Sequence, residues 1–219
     1  MKQLSKIDDL IQEYCPDGVE YRELREVAEF IRGKGLCKDD IGLGDIPVIL
    51  YGELYTTYGN YINKVVSSTS MEKINILSEI KKNDILFPIS STTKEAKIGK
   101  ASVYCLSDVC YLGSDAVILR TDLNSDYLMY LLNSEIFEKQ KMICVKGTTI
   151  RHLDVNKFMK IKVPIPPIEV QNEVVNILDK FTELQAELQA ELQARVKQYE
   201  WYRNDLLSFK DKNATKTAI

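Results

Sequence analysis

Toward the C-terminal end of the chain, apolar residues recur at Val174, Leu178, Phe181, Leu184, Leu188, Leu192, Val196, Tyr199, Tyr202 and Leu206. The gaps are 4, 3, 3, 4, 4, 4, 3, 3 and 4, with a mean of about 3.6 residues. Such a stripe follows one face of an α-helix, with a period between those of a coiled coil and a straight helix. Inside it, a unit Leu-Gln-Ala-Glu is read twice from Leu184 to Glu191 and a third time as Leu192-Gln-Ala-Arg195. These are strong helix formers, and no Gly or Pro interrupts Ile168 to Phe209. At 1.5 Å per residue, roughly forty residues span about 60 Å, too long to be packed within a small domain. The pattern predicts a strut, 166–210, whose stripe (Leu178, Phe181, Leu184, Leu188, Leu192, Val196, Tyr199) forms a dimer interface with a second helix.

Upstream the periods change. Ile7, Leu10, Ile11 and Tyr14 have helical spacing after Ser5, and Pro16-Asp17-Gly18 stops that helix. Residues 19–31 fit strand or helix. Gly33-Lys-Gly35 and Gly42-Leu-Gly44 bracket an expected loop. Strands are expected over Pro47–Gly52, Asp84–Pro88, Lys100–Leu106, Asp115–Arg120 and Ile161–Ile165. A helix is expected from Ser125 to Lys141, with Tyr127, Leu128, Leu131, Leu132 and Ile136 facing inward. Ser90–Lys94 and Gly147–Arg151 read as polar loops. Pro164, Pro166 and Pro167 separate this part from the strut. The predicted class is α+β: a globular mixed α/β domain over 1–165, a long C-terminal helix whose stripe needs a partner helix, and a flexible tail over 211–219.

At 219 residues the chain can hold one real core plus the strut. No apolar run is long enough to cross a membrane and the N-terminus lacks a signal-peptide pattern, so no membrane partner and a cytoplasmic location are expected. Five cysteines (15, 37, 105, 110, 144) without pairing logic suit a reducing compartment. Cys105 and Cys110 lack a second ligand pair, so no metal is expected. The single histidine, His152, is expected to make a local hydrogen bond. The net charge of −3 argues weakly against nucleic acid, but its distribution is uneven. The strut carries eight acids against four bases, whereas residues 139–162 carry seven cations against Asp154 alone. Lys94, Lys97 and Lys100 form a second basic cluster, and local patches matter more than overall charge for a polyanion.

Catalytic signatures are absent from the sequence. There is no phosphate-binding Gly-x4-Gly-Lys-Ser/Thr loop, no Gly-rich turn suited to a dinucleotide or adenosyl cofactor, no Gly-x-Ser-x-Gly, and no general acid–base pair. No catalytic residue and no cofactor are expected; a binding protein is favoured over an enzyme.

Four stretches resemble the specificity (S) subunit of type I restriction–modification systems, in a half-length form. Cys15-Pro-Asp-Gly-Val-Glu-Tyr21 with Leu24 resembles the opening of a target-recognition domain. Asp84-Ile-Leu-Phe87 with Ile98-Gly-Lys-Ala101 resembles its central strands. Ile165-Pro-Pro-Ile-Glu-Val-Gln171 with Val175-Asn-Ile-Leu-Asp179 resembles the start of the spacer helix, and Gln198-Tyr-Glu-Trp-Tyr-Arg203 with Leu206-Leu-Ser-Phe209 its end. Members commonly carry two recognition domains and two helices; this chain has one of each. Val170 also separates Glu169 from Gln171 where an adjacent pair is usual, and Leu50 stands where a basic residue is common. The resemblance implies a non-catalytic subunit that reads half of a bipartite site in double-stranded DNA, with its long C-terminal helix forming an antiparallel coiled coil with a second helix. Its partners would be a second copy of itself, adenine methyltransferase (modification) subunits and a restriction/translocase subunit. Hydroxyl side chains beside cations suit phosphate and base-edge contacts. The expected DNA-binding residues are therefore Thr56, Thr57 and Tyr58; Ser91, Thr92, Thr93, Lys94 and Lys97; and Lys146, Thr148, Thr149 and Arg151. A coiled-coil scaffold without a DNA role and an inactive remnant of a longer specificity subunit are the alternatives.

Overall fold

The computed structural model describes residues 2–36, 38–72, 77–92 and 98–208. The fold is α+β, and the chain divides into two compact units, Met1–Val175 and Asn176–Ile219.

The first unit is built on a five-stranded sheet. Its order is β2 (Ala28–Arg32), β11 (Ala116–Thr121), β7 (Ile85–Pro88), β9 (Ser102–Tyr104) and β4 (Tyr61–Ile62). Side chains alternate across a strand, and here both faces are apolar. Ile85, Phe87, Val103, Val117 and Leu119 enter one core; Leu86, Tyr104, Ala116 and Ile118 enter the other. The first core is closed by α4 (Ser125–Asn133), α5 (Glu135–Ile143) and α6 (Val155–Phe158). Phe158 is its pivot, 5.3 Å from the Phe87 ring, 6.2 Å from Phe30 and 6.3 Å from Phe137. Such pairs add about 0.5–1.5 kcal/mol each beyond their buried area. The second core is closed by α3 (Tyr51–Thr56) and by a four-stranded sheet of β5 (Ser67–Thr69), β3 (Ile41–Ile49), β10 (Cys110–Leu112) and β6 (Ser78–Ile80).

The family-like motifs have structural reasons. Buried Asp84 accepts two hydrogen bonds from the Arg120 guanidinium, at 2.8 and 2.7 Å, and one from the Lys81 N–H at 2.7 Å. Gly99 sits at φ +73°, where a Cβ would also press on the Lys141 side chain at 3.2 Å. Ala101 exchanges both backbone bonds with the Asn133 amide, at 2.8 and 2.9 Å. At the other end β1 (Glu20–Glu23), which follows α1 (Lys2–Tyr14), pairs antiparallel with β14 (Lys162–Ile165).

Helix α7 runs unbroken over 40 residues, Ile168–Leu207. Its first turns belong to the first unit. Gln171 is buried there and satisfied at both ends of its amide, donating to the Pro166 carbonyl at 2.7 Å and accepting from the Asn124 N–H at 3.0 Å. Lys6 on α1 bonds Glu173 at 2.7 Å. From Phe181 onward every described residue of α7 is exposed.

Two sequence-based expectations are corrected, and one open reading is resolved. The helix expected over Ser125–Lys141 is two helices. Ser134 lies in extended backbone between them, and its hydroxyl caps α5 by accepting from the Phe137 N–H at 3.3 Å. The break turns the second helix so that Phe137 is buried and Ile136 is exposed. Gly42-Leu-Gly44 lies inside β3, not in a loop. The register shifts between Ile41 and Ile46, and a Cβ on Gly44 would meet the Thr69 carbonyl at 2.7 Å. Residues 19–31, ambiguous in pattern, contain β1, the short α2 (Leu24–Val27) and the start of β2.

Candidate nucleic-acid interface

Parts of the two predicted polar loops, Ser90–Ser91 and Arg151, are strand residues of one small sheet. β12 (Val145–Lys146) and β13 (Arg151–Leu153) form a hairpin, and β13 pairs with β8 (Ser90–Ser91) through Arg151↔Ser91 and His152↔Ser90. The hairpin tip needs Gly147, at φ +91°, because a Cβ there would strike the Ile150 carbonyl at 2.1 Å. Ser90 is the hub. Its hydroxyl lies 2.9 Å from Asp115 Oδ1 and 2.8 Å from His152 Nδ1, and its carbonyl accepts from the Tyr55 hydroxyl at 2.9 Å. Tyr55 thus ties the end of α3 to the same sheet, and burial pushes its phenol well above the usual range. The hydrogen bond of His152 is not the local one expected but a cross-strand one, to a residue 62 positions away in sequence. Neither Ser90 nor Tyr55 was singled out from the sequence; Ser90 differs from its neighbours only in what tertiary pairing puts beside it.

The expected contacts separate by exposure. Thr56, Thr57, Thr92, Lys146, Thr148 and Thr149 are exposed, and Arg151 is half-buried. Tyr58 and Ser91 are buried. The Tyr58 hydroxyl accepts from the Val66 N–H at 3.3 Å and its carbonyl from Lys100 at 2.5 Å; Ser91 is taken up in the β8 pairing. Thr93, Lys94 and Lys97 lie outside the described residues. The Thr56 hydroxyl donates back to the Gly52 carbonyl at 3.1 Å.

The basic window is less uniform than its sequence. Lys141 is buried, ion-paired to Glu138 at 2.8 Å and donating to the Gly99 carbonyl at 3.1 Å, so it serves the core. Lys146 bonds Asp154 at 2.7 Å. That bond, with the Lys157 N–H, holds the Asp154 carboxyl below its ordinary range. Arg151 points its guanidinium at the Met142 sulfur, 3.1 Å away. Lys157, Lys160 and Lys162 are exposed. Among the described residues no cluster of three or more His, Cys, Asp or Glu could hold a metal, and no helix is long and apolar enough to cross a membrane.

The predicted dimer-interface residues lie on one helix. Leu178 is half-buried, and Phe181, Leu184, Leu188, Leu192, Val196 and Tyr199 are between 49% and 66% exposed. A large apolar stripe open to water marks an interaction surface.

Fold and surface together define a class: a mixed α/β domain displaying a hydroxyl- and cation-bearing hairpin, joined to a long helix with an uncovered apolar stripe. Residues 16–198 match the family described as the type I restriction modification DNA specificity domain, and the chain belongs to that family. It is 48% identical over 219 aligned residues, covering 95% of this chain and 53% of the relative, to the EcoR124I/EcoR124II type I restriction enzyme specificity subunit of Escherichia coli. It is 30% identical to a putative type I restriction enzyme specificity subunit of Haemophilus influenzae, over 76% of this chain and 42% of that one. The fold is shared with the crystal structure of the S subunit from M. genitalium, with a TM-score of 0.54 and 16% identity over 88% of this chain and 47% of that one. The chain spans about half the length of these relatives. Specificity subunits are the non-catalytic components of their restriction enzymes.

Proposed function

We propose that this chain is the DNA sequence-recognition subunit of a type I restriction–modification complex and reads half of a bipartite site as a homodimer. Residues 1–165 act as the recognition domain, 166–210 as the spacer and dimerisation helix, and 211–219 as a tail. Thr148 and Thr149 at the hairpin tip, flanked by Lys146 and Arg151, meet the duplex together with Thr56, Thr57 and Thr92. In this reading Thr93, Lys94 and Lys97 join them. The dimer docks adenine methyltransferase and restriction/translocase subunits, which carry the chemistry; the chain itself needs no cofactor or metal and works in the cytoplasm.

The observation that carries the reading is the uncovered stripe of α7 in a chain whose match to the specificity family extends into that helix. Exposed Leu, Phe and Val side chains at helical spacing are stabilised by burial against a partner, at about 25 cal/mol per Å² of apolar surface. Two copies related by a two-fold axis then present two recognition domains to two half-sites.

The test is electrophoretic mobility of a DNA library with the chain and its cognate methyltransferase subunits, followed by sequencing of the retained fraction. Enrichment of a palindromic pair of half-sites with a fixed gap supports the reading. A dimer that retains no DNA sequence selectively overturns it in favour of a coiled-coil scaffold.

A further inference from the structure

The Ser90 hydroxyl has a single proton and two neighbours that could take it. It lies 2.9 Å from Asp115 Oδ1 and 2.8 Å from His152 Nδ1. An ionised carboxylate can only accept, so the Ser90 proton goes to Asp115. The second contact then takes its proton from the ring: His152 Nδ1 donates to the Ser90 oxygen. A neutral imidazole holds one N–H, and its other nitrogen is an acceptor. The bond therefore fixes the tautomer and makes Nε2 an acceptor. Among the described residues the bond to Ser90 is the one that His152 makes, so Nε2 has no protein partner. Ser90 is held in place, buried, paired in backbone with His152 and accepting from the Tyr55 hydroxyl at its carbonyl, at 2.9 Å.

The strand decides where that acceptor stands. Successive side chains point to opposite faces. Leu153, next along β13, is buried in the first core, so His152 lies on the outer face, where it is exposed. It is paired across the ladder with Lys146 on one side and Ser90 on the other. Cross-strand partners share a face, so Lys146, His152 and Ser90 form one row beside the hairpin tip. A flexible cation suits phosphate, whereas sequence is read at base edges by groups of fixed polarity. In the major groove the hydrogen-bond donors are the exocyclic amino groups of adenine and cytosine; guanine and thymine present acceptors there. An acceptor with a locked tautomer therefore tells which strand carries the amino base.

We propose that His152 reads one base of each half-site, its Nε2 accepting from the amino group of an adenine or cytosine on the strand it faces. Ser90 and Asp115 are positioning residues: they touch no base but set the tautomer that makes Nε2 an acceptor. The inference rests on the DNA-recognition reading and adds to it a residue and the chemical class of base that this residue selects.

Two measurements test this, and the first needs no DNA. His152 is the single histidine, so heteronuclear NMR of the neutral imidazole nitrogens in the full-length chain reports its tautomer directly. The Nδ1–H form is expected; a ring in the Nε2–H form overturns the proposal, whatever the chain binds. The second is selection from a DNA library, with the cognate methyltransferase subunits, by wild type, His152→Asn and His152→Gln. Asn places its amide where Nδ1 stands, keeping a donor for Ser90 and leaving nothing at the position of Nε2; Gln places its amide where Nε2 stands. Wild type should select adenine or cytosine at one position of each half-site. His152→Asn should lose about fivefold in discrimination at that position alone, the worth of one hydrogen bond, and His152→Gln should retain it. Wild-type preferences at every position in His152→Asn would reduce His152 to a bond within the sheet and overturn the proposal. Uniform weakening at all positions in both variants would overturn it as well, since the ring would then only support the hairpin. A wild-type chain that selects no sequence sinks the recognition reading and the base contact with it, whereas selective wild type with unselective roles for residue 152 sinks the base contact alone.

Discussion

Lengthening the helix by one Leu-Gln-Ala-Glu unit after Glu191 should widen the gap in the DNA site without changing its half-sites. Four residues at 1.5 Å add about 6 Å to the helix of each copy. Because the inserted unit repeats the local spacing of four, the apolar stripe continues through it. Both chains gain the unit, so the antiparallel pair lengthens by about 6 Å and the two recognition domains separate by that amount. Along B-DNA, at about 3.4 Å per base pair, this is between one and two base pairs. Rotation matters as well. Four residues turn the helix by about 400°, roughly 40° beyond a full turn, while the duplex winds by about 60° over the same length. The mismatch of roughly 20° is absorbed by twisting protein or DNA, and some affinity should be lost. Methylome sequencing of cells carrying the insertion with the partner subunits reads out gap and half-sites together. An unchanged gap, or altered half-site bases, would refute the ruler and leave α7 as a dimerisation helix only.

Four further outcomes are expected. Leu184→Glu with Leu188→Glu should yield monomers by sedimentation where wild type is dimeric, since the charges fall in the seam; a persistent dimer would place the interface elsewhere. Lys146→Ala and Arg151→Ala should each flatten the slope of log affinity against log salt by about 0.9, one phosphate's worth. Because Lys146 is already engaged by Asp154, an unchanged slope would assign it to that pair instead. Phe158→Ala should lower stability in urea by about 3–5 kcal/mol, as it opens a cavity between three rings; a loss below about 1 kcal/mol would mean the site collapses around it. Alkaline titration should divide the tyrosines. Burial raises Tyr58 and Tyr127 from 10.0 to about 12, so the folded chain keeps these protons longer than the unfolded chain. The stability they contribute is complete below pH 10.0 and is lost as pH rises toward 12. Ultraviolet spectra should show their ionisation only together with unfolding, and early ionisation of all tyrosines would contradict the burial.

The sequence by itself determined what depends on near neighbours. The strut was legible because helical spacing, propensity and the absence of Gly and Pro all agree over Ile168–Leu207. The strands Ile85–Pro88 and Ala116–Thr121 were legible because a strand buried on both faces reads as an unbroken apolar run. The hairpin loop at Gly147 announced itself through turn chemistry. Tertiary structure decided the rest. The break at Ser134 is invisible to periodicity, since the segment scores as helix on both sides and only packing fixes which of Ile136 and Phe137 points inward. The bulge at Gly42–Gly44 has turn composition, yet it is held in a strand by the close approach of the Thr69 backbone. Charge was the most misleading signal: Lys141 counts toward a basic patch in sequence and is a core cation in space, because Glu138 and the Gly99 carbonyl lie within hydrogen-bond reach of it. Ser91 and Tyr58 likewise have the composition of contact residues and end up buried. Which polar groups face solvent is set by pairings between segments tens of residues apart, such as β8 with β13, and no local pattern carries that information.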